Sequence, residues 1–249
     1  MKVITEQYIR IVLKEKGIRE FHVERGFILS PAARDYLNQE RVRVCYDPPA
    51  DRLAADKNGG KRFVDAETGE GYDEKPESMT HLTGNKLVYK DHARIAFRGE
   101  LDHLQSQIVL TQASLLGKYP DTLLLDLENI LTFVRNLLRA EVLDEAVGDA
   151  QMLGLSSAEL REQSHHPQEY FGVKAMTLPH YSMGEGYALL NLLRSQSRQA
   201  EIAAVHAFRE GHTVSHPDIL LALNRLSSGL HILCCRLLAG NYGNGGQDV

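Results

Sequence analysis

Four stretches of this chain, 93–117, 120–148, 185–211 and 216–239, repeat apolar residues every three or four positions, the period of a helix that buries one face. Four such helices in one half of a chain must cover one another. The pattern therefore predicts an antiparallel helix bundle, with a fifth, shorter helix near 157–164. Ser215-His216-Pro217-Asp218 marks the start of the last helix, combining a cap residue, a proline that needs no partner for its missing N–H and an acid near the positive helix end.

Before the bundle the pattern is different. From Met1 to Tyr46 the runs EQYIRIVLKEK, FHVERGFIL, SPAARDYLNQE and RVRVCY alternate quickly, with Ser30 as N-cap and Pro31 at the first position of a helix. This predicts a small α/β module over 1–46. Residues 47–78 are rich in Pro, Gly and charge and lack apolar periodicity, so they read as a flexible insertion or linker that forms no core. The helix-bundle domain then covers 79–240, and the Gly- and Asn-rich 241–249 form a flexible tail. The fold class is mainly α.

The charge balance narrows the partners. With 28 Lys and Arg against 33 Asp and Glu, the net charge of -5 draws the chain neither to nucleic acid nor to an anionic membrane. The opening residues lack the apolar run of a signal peptide and no segment reads as a membrane span. A cytoplasmic protein is expected. The only cysteines are Cys45, Cys234 and Cys235, without zinc-site spacing, so no metal site is expected and Cys234-Cys235 read as small buried hydrophobes.

Three groups carry candidate chemistry. Arg194, Arg198 and Glu201 fall at i, i+4 and i+7 of one helix face, where two guanidinium forks one turn apart suit adjacent phosphates; a solvated face with ordinary ion pairs fits the same spacing. Thr83, Gly84, Lys86 and Lys90 offer hydroxyl, backbone N–H and ammonium donors to phosphate, although no P-loop pattern occurs. Next to them Arg94, Arg98 and Asp102 are four apart, and Gly99 interrupts their helix as if something approached it closely. Asn224-Arg225-Leu226-Ser227 sets polar groups in an apolar helix, as a core hydrogen bond or as part of a pocket. His165-His166 read as surface histidines.

In this order the segments resemble the PduO/EutT family of corrinoid adenosyltransferases over most of 79–240. The matching residues are Thr83-Gly84, Lys90, Arg94, Gly99, Asp102-His103-Leu104-Gln105-Ser106, Arg194 with Arg198-Gln199-Ala200-Glu201, and Asn224-Arg225-Leu226-Ser227. Within it MTHLTGNKLV, LLNLLRSQSRQAE, DILLALNRLSS and the N-terminal ILSPAARDYLNQERVRV look most similar to the EutT type. Some EutT proteins carry a histidine and a Cys-Cys-x-x-Cys motif in the region of 47–78. This chain has no cysteine there.

The resemblance implies transfer of the 5′-deoxyadenosyl group of ATP, with Mg²⁺, to cob(I)alamin, giving adenosylcobalamin for ethanolamine ammonia-lyase. It implies Asp102, Arg194, Arg198 and Glu201 as catalytic residues. ATP binding falls to Thr83, Gly84, Lys86, Lys90, Arg194, Arg198, Glu201 and Asn224, and the cobalamin wall to Phe97, Met176 and Leu178. Met176 stands where PduO relatives place a phenylalanine. It further implies a homo-oligomer, a trimer before a dimer, with Asp102 meeting Arg194 of the neighbouring subunit. Partners in the same picture are the lyase and a corrinoid reductase, with association to a bacterial microcompartment. The alternative is a non-catalytic carrier of adenosylcobalamin or ATP that docks on the lyase.

Overall fold

The structure, a computed structural model, describes residues 2–16, 20–23, 27–40, 42–46, 61–175 and 177–243. It divides into two compact units, the first of residues 1–64 and 69–74, the second of 65–68 and 75–249.

In the first unit, strands β1 (Lys2–Ile4), β2 (Glu20–Val23), β3 (Phe27–Leu29) and β4 (Arg43–Tyr46) interleave with helices α1 (Glu6–Lys16) and α2 (Pro31–Gln39). β1 pairs parallel with β3, and β2 parallel with β4. Parallel pairs need a crossover, and α1 and α2 supply it. Ile9, Phe21, Val23, Leu29, Ala33 and Leu37 form the core. Ser30 caps α2 as its sequence predicts, its Oγ accepting from Ala33 N at 3.1 Å. EQYIRIVLKEK is not an alternating run but the whole of α1.

The expected linker 47–78 divides. Residues 47–60 lie outside the described residues, whereas β5 (Phe63–Asp65) and β6 (Gly71–Tyr72) pair antiparallel. Asp65 is buried, and its carboxylate accepts from Glu67 N and Thr68 N. These bonds to the charged form hold its pKa below the ordinary carboxylate value.

The second unit opens with the hairpin β7 (Met79–Thr83) and β8 (Lys86–Tyr89), followed by α3 (Ala93–Leu115), α4 (Asp121–Leu143), α5 (Ser157–His165) and α6 (Pro167–Phe171). A 3-10 turn (Tyr181–Met183) leads to α7 (Gly184–Phe208), the short hairpin β9 (Arg209–Glu210) and β10 (Thr213–Val214), and α8 (Pro217–Leu238). The four long helices form a closed ring in which α3 packs on α4 and α7, and α8 on α7 and α4. Their contact stripes repeat at alternating steps of four and three, as Phe97, Leu101, Leu104, Ile108 on α3 and Leu123, Leu127, Ile130, Val134, Leu137 on α4. That spacing keeps one face turned inward over many turns. Removing a stripe leucine down to alanine costs about 2–5 kcal/mol by loss of burial and the cavity left behind.

α5 packs on α8 and begins with a capping box, in which Ser156 Oγ accepts from Glu159 N and Glu159 Oε2 accepts from Ser156 N. At the start of α8, Pro217 takes the first position, but Ser215 is not the cap. Its hydroxyl donates to Phe208 O, and Asp218 accepts from Val147 N at 2.8 Å. α8 is the single helix among the described residues long and apolar enough to cross a membrane, and Ile219, Leu223, Leu226, Leu230 and Leu233 along it are buried in the bundle core.

The expected tail starts later than its composition suggests. Tyr242 is 5% exposed and donates its hydroxyl to Asp126 Oδ2, which also accepts from Arg236 Nη1 at 3.1 Å. A hydrogen bond to a charged acceptor contributes about 1.5–3 kcal/mol. Tyr242→Phe is therefore expected to lower the thermal midpoint by roughly 2–4 °C for each kcal/mol lost. An unchanged midpoint in a melting scan refutes this anchor.

Candidate functional site

Between α5, α7 and α8 lies a cavity of about 420 Å³ lined by Ser164, His165, Arg194, Arg198, Glu201, Asn224, Ser227, Ser228 and His231. It unites residues from three helices because each contributes one polar face. Arg194, Arg198 and Glu201 follow one another at helical spacing on α7, and Asn224, Ser227, Ser228 and His231 do so on α8. Two guanidinium groups against one carboxylate leave the lining electropositive, as a polyanion requires. The arginines are set for this. Asn191 Oδ1 accepts from Arg194 Nε and Nη2 at 3.2 and 3.1 Å, and Arg198 has no ion-pair partner among the described residues. Asn224 Nδ2 donates toward Glu201 Oε1 at 3.4 Å.

A second cavity of about 250 Å³ adjoins the first, sharing Arg194 and His231. Its other lining residues, Ala175, Thr177, Leu178, Pro179, Tyr187, Asn191 and Cys234, are more apolar. Burial, with Arg194 nearby, lowers the His231 pKa, so the imidazole is neutral at physiological pH. Burial pushes the Cys234 thiol up to about 12 and the Cys235 thiol up to about 11. Both stay protonated, in keeping with their reading as small hydrophobes. Arg225 turns into the protein, 8% exposed, and burial lowers its pKa, with Arg161 adding to the effect.

Other expected site residues lie elsewhere. Thr83, Gly84, Lys86 and Lys90 are exposed on or beside the β7–β8 hairpin, and Asp102 is exposed on α3; none lines the 420 Å³ cavity. Gly84 has a φ of 56° at the first place of the two-residue turn, a left-handed conformation that favours glycine. Gly99 has open space where a side chain would stand, with no described residue beyond its own turns of helix within 4 Å of that place. Leu178 lines the smaller cavity and is 80% exposed. Met176 lies outside the described residues. Phe97 lines neither cavity: it is 0% exposed and packs edge-on against Phe208 with centroids 5.6 Å apart, leaving no face for a ligand.

Arg94 and Arg98 are also not free for phosphate. Both are bound by Glu141 of α4, a residue the sequence reading missed. Ser164, Ser228 and His231 were missed as well, although His231 stands seven residues after Asn224 and so on its face.

Among the described residues no group of three or more His, Cys, Asp or Glu side chains is placed to hold a metal ion. Glu201 is the single carboxylate among the residues lining the larger cavity. That set suits an Mg²⁺ that keeps its waters and is carried chiefly by phosphate oxygens.

The sequence model of the cobalamin adenosyltransferase family matches residues 72–237. The corrinoid adenosyltransferase EutT of Salmonella typhimurium is 31% identical over 245 residues, covering 92% of this chain and 90% of that one. EutT of Escherichia coli K12 gives the same identity and coverage. The fold is similar to that of a variant PduO-type ATP:corrinoid adenosyltransferase from Lactobacillus reuteri complexed with cobalamin and ATP, with a TM-score of 0.53 at 20% identity over 67% of this chain and 92% of that one. Another variant from that organism, complexed with ATP, has a TM-score of 0.51 at 21% identity over 66% and 92% of the two chains. With the family match spanning the whole helical ring and the electropositive cavity between its helices, the chain belongs to the cobalamin adenosyltransferase family.

Proposed function

We propose that this chain is an ATP:cob(I)alamin adenosyltransferase. The observation that carries the reading is the electropositive cavity holding Arg194, Arg198, Glu201 and Asn224 beside a more apolar one. An electron pair on Co(I) attacks the 5′-carbon of ATP, a Co–C bond forms, the C5′–O bond breaks, and triphosphate leaves with that bond's electrons. The cobalt is the nucleophile, so the protein's work is alignment, charge and exclusion of water. Arg194 and Arg198 neutralise the departing chain. Asn224 and Glu201 orient the nucleoside end, Glu201 would stand beside an Mg²⁺ whose charge would help neutralise the phosphates, and the cavity with Leu178 takes the edge of the corrin.

Thr83, Gly84, Lys86, Lys90 and Asp102 belong to the same site in an oligomer in which one subunit brings the hairpin and α3, and its neighbour brings Arg194. What supports this is the separation of the two residue sets in one chain, together with the exposure of the first set. A trimer is the preferred assembly. Likeness to the EutT relatives supports a role in supplying adenosylcobalamin to ethanolamine ammonia-lyase, in the cytoplasm and within reach of a microcompartment, with a corrinoid reductase delivering Co(I).

The test is an anaerobic assay with ATP, Mg²⁺ and chemically reduced cobalamin, following the spectrum of photolabile adenosylcobalamin. Product is expected. A folded protein that binds ATP and adenosylcobalamin but makes none is a carrier instead.

A further inference from the structure

Strand β7 holds one residue more than its ladder with β8 uses. His81 pairs with Leu87 and Thr83 with Lys86, which leaves Leu82 as the extra residue of a bulge. A bulge breaks the ladder and re-aims the turn beyond it, and its carbonyls need other donors. Arg98 supplies them, with Nη1 donating to His81 O at 3.2 Å and Nη2 to Leu82 O at 2.8 Å. The remaining edge of the same guanidinium is held by Glu141, whose Oε2 accepts from Arg98 Nε. Glu141 Oε1 accepts from Arg94 Nε at 2.7 Å, and its backbone carbonyl accepts from Arg94 Nη2 at 3.0 Å.

The Glu141 side chain is 0% exposed. Packing α3 on α4 does not call for such a group, since a buried ion pair commonly stabilises no more than apolar side chains of similar volume. Its distinctive product is rigidity. Two helices and the bulged strand are joined through one carboxylate and one planar fork, and at the turn itself the His81 ring lies 3.2 Å from Gly84 O.

We propose that Glu141 and Arg98 are positioning residues for ATP, fixing the turn at Thr83 and Gly84 so that its hydroxyl and backbone N–H groups face the polyphosphate without further ordering. The inference rests on the reading of this hairpin as part of the ATP grip. Ordering a loop on binding consumes affinity, and a clamp present beforehand avoids that loss.

Arg98→Lys is the informative variant. It keeps a positive charge beside Glu141 and loses the fork that spans both bulge carbonyls. KM for ATP is expected to rise about tenfold with kcat changed by less than about threefold, the mark of lost positioning before the chemical step. KM for the corrinoid should not move, and backbone amides of 79–89 should exchange faster with deuterium in the unliganded protein. Glu141→Gln is expected to shift both readings the same way. Hairpin exchange as slow as in the wild type overturns the clamp. Faster exchange with an unmoved KM for ATP keeps the clamp as a structural feature but refutes the ATP grip on which the proposal stands.

Discussion

Arg194→Ala is expected to lower kcat by about 10²–10³, as removal of one preorganised donor does where charge develops in a transition state. Arg194 borders both cavities; in the proposed reaction it therefore stands beside the leaving oxygen, between the phosphate and corrin sites. Negative charge grows on that oxygen only as the C5′–O bond breaks, so the loss should appear in kcat more than in affinity for ATP. Arg194→Lys retains a charge but not the planar fork that Asn191 orients, and is expected to fall between wild type and alanine. Single-turnover formation of adenosylcobalamin under saturating ATP measures the step directly. A variant that binds ATP normally and turns over at the wild-type rate would remove Arg194 from the chemistry.

The helical half of this protein was legible because its apolar stripes are long and regular, and the same stripes held information that residue-by-residue reading passed over. Leu123, Leu127, Ile130, Val134 and Leu137 alternate steps of four and three, and the next step of four lands on Glu141. A carboxylate on that stripe had to be buried and paired. Phe97 likewise heads the stripe of α3, so the period assigns it to the core in preference to a ligand wall. Arg94 and Arg98 look as suited to phosphate as Arg194 and Arg198, because both pairs show a four-residue spacing; only the partner arriving from another helix distinguishes them. The N-terminal unit was less legible. Its parallel pairs join residues more than twenty positions apart, and short strands in that arrangement leave no local turn signal. The hairpin β5–β6 was hidden by its composition, since Gly and charged residues that suggest a linker also suit a turn between two short strands.

Mixing two impaired variants, Asp102→Ala and Arg194→Ala, is expected to restore activity if the site is shared between subunits. Asp102 is exposed on α3 and has no ion-pair partner in its own chain among the described residues, whereas Arg194 lies on α7 beside the cavities. An exposed carboxylate contributes little by itself, but one desolvated against an arginine across an interface costs about 2–5 kcal/mol to remove. Asp102→Ala should therefore weaken both assembly, read as a shift toward monomer in sedimentation, and turnover. Arg194→Ala is expected to keep only about 10⁻²–10⁻³ of wild-type turnover through the loss of its guanidinium. In a cyclic oligomer each site draws Asp102 from one subunit and Arg194 from the next. Random co-assembly of equal amounts of the two variants gives about one quarter of the sites both native residues, in a trimer or a dimer alike. About a quarter of wild-type activity should then return after the chains are mixed by co-expression or joint refolding. If Asp102 and Arg194 served a site within one chain, no mixed oligomer would contain a complete site, and activity would stay at the level of the separate variants.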